Sequence, residues 1–133
     1  MAIDYGTKRA GIAVTDPDRI IATGLTTVLT KEILKFLENY MKKEIVECIV
    51  VGEPGIGKRN KIIAKEAVKF SKELKNKFPN VKVDRMNEMF TSKMAFQTMI
   101  DSGLKKEARK NKALIDEISA TIILQNYLEK IKK

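Results

Sequence analysis

The segment Ile45-Val46-Glu47-Cys48-Ile49-Val50-Val51 is a near-continuous apolar run interrupted by one charge. Such a run offers no polar face to water, so it predicts a central strand covered on both sides. The rest of the chain must supply the covering elements. Upstream, Ala2-Ile3-Asp4-Tyr5 and Gly11-Ile12-Ala13-Val14 flank a turn at Gly6-Thr7-Lys8 and read as a hairpin, which ends at a second turn, Asp16-Pro17-Asp18. Residues Ile20 to Leu29, rich in Ile, Thr and Val, form a third strand. Thr30 is placed to cap a helix whose apolar positions Ile33, Leu34, Phe36, Leu37, Tyr40 and Met41 recur at helical spacing.

After the central run come a Gly/Pro loop over 52–59, an amphipathic helix over about 60–77 and a strand at Val81 to Met86. Thr91 or Ser92 then opens a helix that runs to about Ser102 and closes on Gly103 at the C-cap position. A basic loop from Lys105 to Lys112 leads into a last helix. The order β-β-β-α-β-α-β-α-α predicts an α/β fold with a mixed five-stranded sheet, three antiparallel strands followed by two parallel ones, flanked by helices. With 133 residues, no repeat and no low-complexity tract, residues 1–133 are read as a single domain.

Composition limits the chemistry such a sheet can carry. The chain has no histidine, which excludes a histidine general base, a Ser-His-Asp relay and any imidazole metal site. Its one cysteine, Cys48, can form neither an internal disulfide nor a thiolate zinc cage, and a reducing, cytoplasmic setting is expected. No stretch approaches the roughly 20 apolar residues of a membrane span, and the N-terminus lacks the pattern of a secretory signal. Lys and Arg outnumber Asp and Glu by 26 to 17, a net charge of +9 that fits either a solvated lysine surface or a polyanion partner.

Three acids stand in unusual places. Asp4 interrupts a strand, where a carboxylate is costly unless its charge is used, although it could also bond the backbone of the turn at Gly6. Glu88 follows the last strand and precedes a helix, the edge at which α/β sheets present functional groups; an ordinary exposed loop glutamate reads the same way. Asp116 shares a helical stripe with Ala120, Ile123 and Tyr127 and so is aimed at the buried side, either as a functional group or as a first-turn acid held by the helix N-terminus. Carboxylates gathered from two strands and a helix bind Mg²⁺ or Mn²⁺, hard cations that keep open positions for substrate phosphate. Two such ions can activate a water and neutralise the leaving oxygen of a phosphodiester.

The block from Ala2-Ile3-Asp4-Tyr5-Gly6-Thr7-Lys8-Arg9 to Asp16-Pro17 resembles the opening motif of the YqgF family, Holliday-junction-resolvase-like proteins also described as pre-16S rRNA nucleases. Asn87-Glu88-Met89-Phe90-Thr91-Ser92 is similar to that family's Asp-Glu-Arg-Phe/Leu-Thr-Thr segment, and Ile115-Asp116 through Ile123-Leu124-Gln125-Asn126-Tyr127-Leu128 to its closing helix. The resemblance implies an RNase H-like fold and assigns Asp4, Glu88 and Asp116 to an acidic triad that is both catalytic and metal-ligating, with Mg²⁺ or Mn²⁺ as cofactor. Asn87 and Met89 depart from the family's Asp and Arg, and the 52–59 loop departs from its usual wording. Only Met1, Ala2 and Ile3 precede Asp4, which makes the first strand short and leaves a start upstream of Met1 open.

Nucleic-acid contacts are expected from Lys8 and Arg9 in the first turn, from Lys58 and Arg59, and from Arg109 and Lys110 in the basic loop; each also reads as plain solvated surface. Gly52-Glu53-Pro54-Gly55-Ile56-Gly57-Lys58 spells a phosphate-binding loop, but Arg59 stands where that loop needs a hydroxyl. The expected function is a metal-dependent endonuclease trimming the small-subunit ribosomal RNA precursor. The alternatives are a resolvase of branched DNA, a nucleic-acid-binding or transcription-associated module without turnover, and nucleotide binding through the Gly52–Lys58 loop. Nothing in the sequence distinguishes a monomer from a homodimer.

Overall fold

A computed structural model describes residues 1–18, 20–54, 58–88 and 111–131. Strands β1 (Ala2–Tyr5), β2 (Arg9–Thr15), β3 (Ala22–Leu29), β4 (Cys48–Pro54) and β5 (Lys82–Glu88) form one sheet in the order β3-β2-β1-β4-β5. The β1–β2 and β2–β3 pairs are antiparallel, whereas β4 runs parallel to both β1 and β5. This is the expected mixed sheet in its RNase H-like arrangement. Helices α1 (Ile33–Met41), α2 (Lys58–Lys77) and α3 (Lys112–Ile131) cover it, and no helix among the described residues is long and apolar enough to cross a membrane.

Period-two alternation splits the sheet into two chemically different faces. Ile3, Ala10, Ile12, Ile49 and Val51 point to one face and pack with Ile33 and Leu37 of α1 and with Ala67, Phe70 and Leu74 of α2, all of them buried. Ala2, Ala13 and Val50 point to the other face, against Ala120, Ile123, Leu124 and Tyr127 of α3. The first face is built from bulky side chains, the second mainly from small ones, so α3 can lie close to the backbone of the sheet. A register shift at Ile12/Ala13 lets both Leu25 and Val28 reach the α1/α2 core.

Several boundaries differ from the sequence reading. The central strand begins at Cys48, and Ile45, 93% exposed, lies outside it. Hydrophobicity alone does not mark where the chain enters the sheet. The strand also continues through Gly52, Glu53 and Pro54, which pair with Met86, Asn87 and Glu88, so three positions read as loop belong to β4. Three of the seven positions of the suspected phosphate-binding loop are therefore sheet; residues 55–57 lie outside the described residues. Thr30 does not cap α1. It opens a short 3-10 turn, Thr30–Glu32, and its hydroxyl donates to the Gly6 carbonyl oxygen at 2.6 Å, tying the end of β3 to the first turn. The helix expected from Thr91 or Ser92 to Ser102 and most of the basic loop lie outside the described residues.

Candidate active site

Helix α3 crosses the sheet from one edge to the other. The carbonyl oxygen of Ala113 accepts a hydrogen bond from the Thr27 hydroxyl of β3 at 2.6 Å. Asp116 follows over Gly11 of β2, Ile123 lies over Gly52 of β4, and the Tyr127 hydroxyl donates to Asp84 Oδ2 of β5 at 3.1 Å. Gly11 and Gly52 flank Asp4 in the sheet, one on each neighbouring strand. Asp4 alternates onto the same face as Ala2, which packs against α3. The strand and the helix that carry Asp4 and Asp116 thus meet over a row of glycines, where the helix can approach because no Cβ stands in its way.

Glu88 is the last residue of β5, in register with Pro54, and not a residue after the strand. Its side chain lies outside the described residues, as do those of Lys58 and Arg59, which open α2. Arg109 and Lys110 lie outside them altogether. Asp116 is in the second turn of α3; the helix start is instead capped by Asn111, whose Oδ1 accepts from the Leu114 backbone N–H at 3.3 Å. Its partner is a side chain. Arg9 Nε donates to Asp116 Oδ2 at 2.8 Å, with side chains 35% and 23% exposed.

That contact corrects the placing of Arg9. It is the first residue of β2, on the face that meets α3, while Lys8 stays exposed in the turn. Nothing in the local sequence links Arg9 to an acid 107 positions later. Ser119, one turn after Asp116, is fully buried, and its Oγ has no hydrogen-bond partner among the described residues. Along the helix it falls between Asp116 and Ile123, and so over the β1 row that carries Asp4.

Do these residues suit a divalent metal? Among the described residues no three Asp, Glu, Cys or His side chains converge as a cage. Asp4 and Asp116 offer only oxygen donors, the set hard divalent ions take. They lie on elements brought together by close packing, and Ser119, one turn after Asp116, has a buried hydroxyl without a protein partner among the described residues. The donor chemistry therefore fits Mg²⁺ or Mn²⁺.

A family model described as "RuvX: Holliday junction resolvase" matches residues 1–130. The chain belongs to the RuvX family. It is 54% identical over 129 residues to a protein of Flavobacterium psychrophilum named "Putative pre-16S rRNA nuclease", covering 96% of this chain and 94% of that one. Proteins of the same name from Christiangramia forsetii and Phocaeicola vulgatus are 54% and 52% identical over 132 and 133 residues, covering 96% and 99% of this chain and 96% of each relative. The resemblance seen in the three motif blocks is thus a RuvX family membership spanning nearly the whole chain.

Sequence reasoning missed a polar cluster where this RuvX-family helix reaches the far side of the sheet. Tyr127 is bonded to Asp84 and lies 3.8 Å from Cys48 Sγ. Burial first, then the neighbouring Cys48 and Asp84, push the phenol well above its ordinary range. Tyr127 was legible only as an apolar stripe position, because its partners come from β4 and β5.

Proposed function

We propose that this chain is a metal-dependent endonuclease that hydrolyses phosphodiester bonds in the 5′ region of the small-subunit ribosomal RNA precursor. The observation that carries the reading is the packing of Asp116 over Gly11, the direct sheet partner of Asp4, on the face to which Asp4 alternates. Asp4, Glu88 and Asp116 are the residues that would hold Mg²⁺ or Mn²⁺. When bound, such an ion lowers the pKa of a coordinated water and offsets charge on the leaving oxygen. The chain's own part is to fix the acids on a rigid sheet and helix, to bring cationic side chains such as Lys8 and Arg9 to the phosphate, and to keep bulky groups off the glycine row. With no histidine present, proton transfer falls to water and carboxylates.

The relatives' shared name supports the ribosomal substrate, and the family description keeps branched DNA as the second reading. Both are tested together. The purified protein is incubated with precursor ribosomal RNA and with four-way junction DNA, each in Mg²⁺, Mn²⁺ or chelator. Metal-dependent cleavage of the RNA is expected. Cleavage of the junction alone would reverse the preference, and binding without cleavage of either would make the chain a nucleic-acid-binding module.

A further inference from the structure

Of the three acids assigned to the site, Asp116 has an observed internal cation, and that cation has unused bonding capacity. Arg9 carries five N–H donors in a planar fork, of which Nε alone is engaged among the described residues. The pair is also a weak one by its setting. Both side chains are partly open to solvent, and ion pairs so exposed contribute little. An interaction of that size orients a side chain but does not commit it. A phosphate offers the same guanidinium a bidentate, charge-assisted partner that the carboxylate does not supply in this geometry.

We infer that Arg9 is an exchangeable latch: it neutralises Asp116 before substrate arrives and transfers its guanidinium to a backbone phosphate of the nucleic acid, which releases Asp116 to take a divalent cation. This rests on the reading of Asp116 as a ligand. The exchange couples the two events, because whatever draws Arg9 to phosphate frees the carboxylate, and whatever occupies the carboxylate frees Arg9. Arg9 is in this sense a positioning residue for Asp116 and a phosphate contact in turn. Its place at the start of β2, next to the turn carrying Lys8, lets the side chain swing without moving the sheet.

The latch is tested without metal and without turnover, so failure of the nuclease reading and failure of the latch remain separate. Binding of a labelled precursor-rRNA oligonucleotide is measured in EDTA at fixed salt for the wild type, Arg9→Gln, Asp116→Asn and the double variant. Asp116→Asn should bind about two- to fivefold more tightly than wild type, because Arg9 is released, and that gain should vanish when residue 9 is Gln. An equal gain in both backgrounds would mean that only a negative charge had been removed, and the latch would be wrong. No gain at all would also overturn it. Should Arg9→Gln melt below the assay temperature, Arg9→Met, which keeps the apolar stem, replaces it in the same cycle.

Discussion

Gly11 lies directly beneath Asp116: a methyl group on Gly11 would overlap the Asp116 carbonyl, a backbone group with no rotamer to escape into. Gly11→Ala should therefore lift the first half of α3 and cost about 2–3 kcal/mol. The equivalent change at Gly52 meets the end of the Ile123 side chain, which can turn aside, and should cost about 1 kcal/mol. Denaturant titration of both variants checks the ranking; a milder loss for Gly11→Ala than for Gly52→Ala would contradict the close approach described.

Asp116→Asn removes a charged oxygen while keeping shape, so cleavage should disappear with little change in melting temperature. Unchanged cleavage by the folded variant would remove Asp116 from the proposed ligand set. Replacing Arg109 and Lys110 by Ala should flatten the logarithmic salt dependence of RNA binding by about two units if both meet phosphate. An unaltered slope would return them to ordinary surface.

Ser119 buries a hydroxyl that has no hydrogen-bond partner among the described residues. Removing an unsatisfied buried polar group relieves its desolvation cost, so Ser119→Ala should stabilise the fold by about 1 kcal/mol. A clear destabilisation, read by thermal melting, would mean that the hydroxyl is satisfied through water in solution.

Tyr127 has its pKa raised in the folded protein by burial, Cys48 and Asp84. A group whose folded pKa exceeds its unfolded value, about 10 for tyrosine, stabilises fully below that value and loses its contribution as pH rises through the folded pKa. Tyr127→Phe should cost about 1 kcal/mol at neutral pH, through the lost bond to Asp84, and should make the alkaline loss of stability shallower. Melting curves from pH 7 to 11 test both parts; a wild type and variant that fall in parallel above pH 10 would refute the second.

Much of this was legible in the chain itself. The runs at Ile3, Ile12 and Ile49–Val51, and the helical spacing of Ile33 and Leu37, fix which residues are buried, because burial is set by a local period that sequence displays directly. The order of the elements among the described residues and the mixed sheet follow from the same reading, helped by motif blocks along the chain. The tertiary structure decided what depends on approach between distant segments. Gly52 looks like a loop residue by propensity and is strand, paired with Asp4 and Met86, with Ile123 of α3 packed where a Cβ would stand. Thr30 looks like a cap and instead ties β3 to the first turn. Arg9 looks like a turn cation and instead meets Asp116, since charge pairing across 107 positions obeys distance in space and leaves no trace in local composition.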